Sequence, residues 1–136
     1  MKRTATAHWE GDLKTGKGNV SSQSTTLNKT QYSFKTRFED GVGTNPEELL
    51  AAAHAGCFTM AVSAGLAQAG FTATSLDTEA ILNLEGLDIT GIHLVIKGKV
   101  PNISSQQFSE IAKGAEKGCI ISKALSVKIT SDIALL

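Results

Sequence analysis

Cysteine is scarce in this chain: only Cys57 and Cys119 occur among 136 residues. A small secreted scaffold would carry more, and no CxxC or Cys2His2 spacing is present, so neither a disulfide framework nor a zinc finger is expected. Charge of one sign is not in excess either, since thirteen Lys and Arg stand against thirteen Asp and Glu. That balance excludes the electrostatic footprint of a general nucleic-acid binder and the polybasic patch that draws proteins to anionic lipid. No run of about 18 apolar residues is free of small or polar interruptions, so no membrane span is expected. The N-terminal residues 1–9 hold two positive charges but no apolar core, so no secretory signal is expected and the cytoplasm is the expected compartment. At 41% apolar and 19% charged the chain reads as folded, and without repeats or linkers one domain over residues 1–136 is expected. In a reducing compartment two distant thiols are either inert packing residues or a pair that folding brings together for redox chemistry.

What is present predicts strands, helix, strands, helix, strand. Ala5, Ala7 and Trp9 alternate with polar residues, and so do Tyr32, Phe34, Thr36 and Phe38, which predicts two strands. Lys14–Gly18 is a turn signal between them, and residues 21–26 can continue a polar edge strand. Thr44 or Asn45 can cap a helix in which Pro46 takes the first position, Glu47 and Glu48 complement the dipole, and Gly70 ends the run. The 24 residues from Pro46 to Ala69 predict roughly 36 Å of helix, apolar on nearly every side. A chain this short covers such a helix poorly, which points to a partner subunit. Residues 80–100 alternate as strands around a turn at Glu85–Gly86. Ser104–Gln107 reads as a capping box before a helix that ends at Gly118, and residues 127–135 alternate again. The expected class is α+β with mainly antiparallel sheet.

Few residues can carry chemistry. The stretch Gly11–Gly18 is close to a phosphate-binding loop, but Gly18 stands where a hydroxyl is needed and a polar strand follows instead of a helix. It reads as a hairpin turn. His54 and Cys57 share a helix face, so a Cys–His acyl-transfer dyad is conceivable beside the plainer reading of a hydrogen-bonded core histidine. His8 and His93 fall on polar strand faces and read as solvated, and three scattered histidines make a poor metal site. Cys57 is some eleven residues past the start of its helix, too far for that N-terminus to lower its pKa, so it is inert unless a cation from elsewhere activates it. Cys119 follows Gly118 and opens a segment that can form another short helix, whose backbone N–H groups would favour a thiolate. By alternation alone Arg37 joins Lys35 and Ser33 on a polar face, and Glu47 and Glu48 serve the helix dipole.

The segments Tyr32–Glu39 and Gly43–Phe58, together with Ala7–Leu13 and Gly118–Cys119 before Ser122, resemble the signature of the OsmC/Ohr family. The likeness covers essentially the whole chain, and the Thr-Asn-Pro-Glu run into a Cys-bearing helix is specific. Arg37 before that run makes it more similar to the OsmC branch than to the organic hydroperoxide resistance branch. The resemblance implies an OsmC-like α+β fold, with mainly antiparallel sheets wrapping the long central helix in an intertwined homodimer. It also implies a peroxidase that reduces organic hydroperoxides, and hydrogen peroxide less well, in oxidative and osmotic stress defence. On this resemblance Cys57 is the peroxidatic thiol, Cys119 the resolving thiol, Arg37 the stabiliser of thiolate and peroxide, and Glu47 the residue that orients Arg37. No bound cofactor and no metal are implied. The implied reductant is an external dithiol such as dihydrolipoamide or a lipoylated protein, with neither nucleic acid nor membrane as partner. One departure is visible: the family usually has proline after the second cysteine, where this chain has Ile120. Two other readings compete. One is a non-enzymatic dimer that senses oxidation through Cys57 or binds an apolar ligand; the other is a hydrolase using Cys57 and His54.

Overall fold

In the computed structural model, which describes residues 1–136, strand β1 (Ala5–Glu10) turns back into β2 (Lys17–Ser22), with Glu10 opposite Lys17. Asp12 shapes the turn by accepting the backbone N–H groups of Lys14 and Thr15, both at 2.9 Å. Those amides therefore serve a hairpin, not a phosphate. β3 (Thr30–Tyr32) pairs with the other side of β2, so β2 is the middle strand of a three-stranded antiparallel sheet. The expectation of a polar edge strand over residues 21–26 is corrected: the strand begins at Lys17 and has neighbours on both sides.

A second correction concerns residues 32–38. The strand stops at Tyr32, and Phe34–Phe38 form a short helix, α1. Ser33 caps it by accepting the Thr36 N–H, and the Ser33 N–H donates to the Thr36 hydroxyl at 2.9 Å. This reciprocal pair satisfies two donors that a strand ending would leave to water. The aromatics at 34 and 38, which fit a period of two, also fit one helical turn, and their ring centroids lie 4.9 Å apart.

Helix α2 spans Pro46–Gln68, 23 residues, close to the expected length. Asn45 accepts the Glu48 N–H at 2.8 Å and donates from Nδ2 to the Thr36 carbonyl at 2.8 Å, tying the end of α1 to the start of α2. Gly70, at φ +86°, takes the left-handed conformation that ends the helix. Only His54, Phe58, Val62 and Leu66 are buried, a stripe at four-residue spacing, whereas Met60 is exposed. Within one chain this helix is covered along one side, not surrounded. By length and composition α2 is also apolar enough to cross a membrane, the interruptions along it notwithstanding. Its Thr59 hydroxyl bonds Thr78 at 2.6 Å and its buried stripe packs into protein, as in the core helix of a globular unit.

The chain then forms β4 (Ser75–Glu85), β5 (Asp88–Lys99), α3 (Ser105–Gly118), α4 (Ile120–Ala124) and β6 (Lys128–Leu135). The Ser104–Gln107 capping box forms as expected at the start of α3. β5 is central, antiparallel to β4 and parallel to β6, because α3 and α4 carry the chain across between them. Ile92, Leu94 and Ile96 of β5 meet Phe58, Val62 and Leu66 of α2 and Phe108 and Ala112 of α3 in one core, which Cys119 joins. At Gly98 a side chain would overlap the Phe108 ring, so that strand position needs glycine to let α3 sit down. By its internal contacts the chain divides into two compact units, Met1–Leu49 and Leu50–Leu136, with α2 starting in the first and continuing through the second.

Candidate functional site

The first unit holds an arginine–carboxylate pair. Arg37 sits in the last turn of α1, not on a strand, and both its Nε and its Nη2 reach Glu47 Oε1, at 2.7 and 2.6 Å. Glu47 is in the first turn of α2, where the helix dipole favours its charge. Its side chain is only 12% exposed, against 42% for Arg37, and its second oxygen, Oε2, is buried without a protein partner. Two donors on one oxygen fix the plane of the guanidinium and leave its remaining N–H groups available. Glu48 instead hydrogen-bonds Thr44 and Asn45 around the cap.

The second unit holds the thiols. Cys57 is midway along α2 and Cys119 is the N-cap residue of α4, yet folding makes the two thiols neighbours, each influencing the titration of the other. Both are free thiols, Cys119 buried and Cys57 partly covered. They line an apolar pocket of about 510 Å³ with Ala53, Met60, Ala61, Ile120 and Ile121. Burial pushes the Cys57 thiol up, and Cys119 pushes it further by hydrogen bonding and charge repulsion; the N–H groups of Ile121 and Ile120 pull the other way and lose. Burial also raises Cys119, but hydrogen bonds from the Cys57 thiol, the Ser122 N–H and hydroxyl, and the Ile121 N–H outweigh it and leave Cys119 below its ordinary value. The expected short helix after Gly118 is present as α4, with Cys119 as its N-cap residue. What the sequence did not disclose is that the same helix start also presents N–H groups to Cys57. Ile120 matters here, because a proline in its place would have no N–H to offer.

His54 is fully buried and bonds Ser122 Oγ through Nε2 at 2.8 Å. The conceived Cys57–His54 dyad is thus not made: the ring serves a residue 68 positions away. Ser122 was not singled out as functional from the sequence, for nothing near it in the chain predicts a histidine partner. His8 is exposed beside Glu10 as expected, but His93 is bonded rather than solvated, to Thr130 at 2.6 Å and Asp132 at 3.1 Å. No group of three His, Cys, Asp or Glu side chains is placed to hold a metal ion.

Comparison with known proteins shows the family. The model of the family described as OsmC-like protein matches residues 38–133. The chain belongs to the OsmC family. It is 50% identical over 133 residues to the peroxiredoxin OsmC of Escherichia coli (strain K12), covering 95% of this chain and 93% of the relative. Among solved structures, the OsmC-like protein of Mycoplasma pneumoniae superposes with a TM-score of 0.76 at 16% identity, covering 100% of this chain and 98% of that one. The organic hydroperoxide resistance protein OhrB of Bacillus subtilis gives 0.70 at 22% identity, with 98% of both chains covered. At those identities the two structures bear on the OsmC fold alone, and they agree with the α+β arrangement expected from the sequence.

Proposed function

We propose that this chain is a thiol peroxidase that reduces organic hydroperoxides, and hydrogen peroxide more weakly, in oxidative and osmotic stress defence. The observation that carries the reading is the meeting of Cys57 and Cys119, 62 positions apart, at one apolar pocket of about 510 Å³. The peroxiredoxin name of the Escherichia coli relative supports it. The Cys57 thiolate attacks the distal peroxide oxygen; the O–O bond breaks, an alcohol leaves after taking a proton, and Cys57 becomes a sulfenic acid. Cys119 attacks that sulfur, the S–O bond breaks and water leaves, which forms the disulfide. An external dithiol, dihydrolipoamide or a lipoylated protein, then returns both thiols by exchange and is itself oxidised to its disulfide. The apolar lining suits a hydrocarbon tail on the peroxide.

The local influences on Cys57 act against its thiolate, so it needs a cation. We assign that role to Arg37, which also binds the peroxide oxygens, with Glu47 holding the guanidinium in plane. The working unit is a cytoplasmic homodimer, a reading supported by the apolar sides of α2 that one chain leaves uncovered. Incubation with cumene hydroperoxide and dihydrolipoamide tests the function. Multiple turnovers that vanish in Cys57→Ser are expected. A single oxidation per subunit without recycling would turn the reading into a redox sensor, and peroxide loss that survives the substitution would end it.

A further inference from the structure

His54 and Ser122 are buried polar side chains that the peroxidase cycle does not use. Their hydrogen bond at 2.8 Å joins α2 to α4 inside an apolar core, where an unsatisfied polar group is costly. Each is three residues from a cysteine: His54 precedes Cys57, and Ser122 follows Cys119. Ser122 stands one helical turn after Cys119 at the start of α4, and its hydroxyl and N–H act to hold the Cys119 thiol below its ordinary value. The ring proton can be placed from the partners. Nδ1 of His54 is buried with no hydrogen-bond partner, so a proton there would be an orphaned donor. The proton therefore belongs on Nε2, where Ser122 Oγ accepts it. Having accepted from Nε2–H, the Ser122 hydroxyl keeps its own hydrogen free for the Cys119 sulfur one helical turn away.

We propose that His54 and Ser122 are positioning residues that hold Cys119 as the thiolate, both for its attack on oxidised Cys57 and for its departure when the disulfide is reduced. The proposal rests on the peroxidase reading. In the forward step the Cys119 thiolate forms the S–S bond, the S–O bond of Cys57 breaks, and the departing hydroxide takes a proton from solvent. In the return step one thiolate of the external dithiol attacks Cys57, the less buried sulfur, since Cys119 is 1% exposed. The S–S bond breaks and its electron pair stays on Cys119 as a thiolate, to which the Ser122 hydroxyl donates its hydrogen. The second dithiol sulfur then displaces Cys57 and closes the oxidised reductant. Burial holds the His54 pKa down, which keeps the ring neutral through this cycle. Around Cys119 the titratable groups are Cys57, His54 beyond Ser122, and the exposed flanking lysines Lys117 and Lys123.

The test titrates Cys119 alone, by thiolate absorbance in full-length Cys57→Ser, where peroxide turnover is not required. Adding Ser122→Ala or His54→Leu should move its titration to higher pH, whereas adding His54→Gln, which keeps a donor at the Nε2 position, should restore it. With Cys57 present, stoichiometric cumene hydroperoxide should give disulfide about tenfold more slowly in Ser122→Ala than in the parent, the loss of one charge-assisted hydrogen bond. Titrations of Ser122→Ala and His54→Leu that coincide with the parent, in protein whose circular dichroism is native, would overturn the proposal. So would equal disulfide rates. A shifted titration in a protein without peroxide turnover would uphold the hydrogen-bonded relay and sink only the peroxidase cycle built on it.

Discussion

The two units hold their polar chemistry in opposite ways. In Met1–Leu49 the ion pair of Arg37 and Glu47 stands at the end of a five-residue helix, with a three-stranded sheet whose first strand is almost wholly exposed. In Leu50–Leu136 Cys119, His54 and Ser122 are buried among two long helices and a sheet, and Cys57 packs against that core. The first arrangement depends on caps and side-chain pairs, the second on apolar burial. A half-exposed ion pair adds little to stability, whereas a buried polar chain costs stability wherever a group stays unpaired, as Nδ1 of His54 does. The difference teaches that a half-exposed guanidinium is held by an anchor, while buried thiols and hydroxyls depend on the partners that the core brings to them.

Substitutions should separate the two regimes. The largest effect is expected for Phe58→Ala in the second unit, a fully buried ring whose loss should cost about 3–5 kcal/mol in a denaturant titration. A cost under about 1 kcal/mol would show that this core is not what holds the unit together. Next comes Arg37→Ala, which should slow reaction with cumene hydroperoxide about 100-fold and raise the Cys57 titration, while leaving the unfolding midpoint nearly unmoved. An unaltered rate and titration would reject Arg37 as the cation. Smaller is Ser33→Ala, which removes the cap of α1 at a cost of about 1 kcal/mol and should reduce peroxide reactivity with it. If α1 and the reactivity both persist, the helix is held by other contacts.

The smallest effect is one of pH. Burial lowers the His54 pKa from its ordinary 6.5, so the folded protein resists a proton that the unfolded chain accepts. The stabilising contribution is complete above pH 6.5 and is lost as pH falls below it, by at most about 1 kcal/mol over one pH unit. His54→Gln should flatten that part of the profile, and identical slopes in both proteins would place the acid sensitivity elsewhere.

Much of this was legible one element at a time. Asn45 and Pro46 announced the start of α2, Gly70 its end, and Ser104 with Gln107 the start of α3, because capping and dipole preferences act within a few residues. Phe34–Phe38 was misread for the same reason that such signals are short: five residues with aromatics four apart satisfy both a strand and a single helical turn, and the deciding hydrogen bonds between Ser33 and Thr36 use threonine where glutamate or glutamine is the familiar sign. The central position of β2 and the parallel pairing of β6 leave no local trace, since strand order depends on partners remote in the chain.

By itself the amino-acid order determined the long cysteine-bearing helix, the α+β class and the motif by which the chain resembles its family, all of them consequences of local spacing. Tertiary structure alone decided that two thiols meet, that the start of a five-residue helix offers donors to both, and that His54 answers Ser122 instead of the cysteine beside it. Those outcomes depend on which distant side chains the core draws into contact, and hydrogen bonds and thiol contacts act only at that short range.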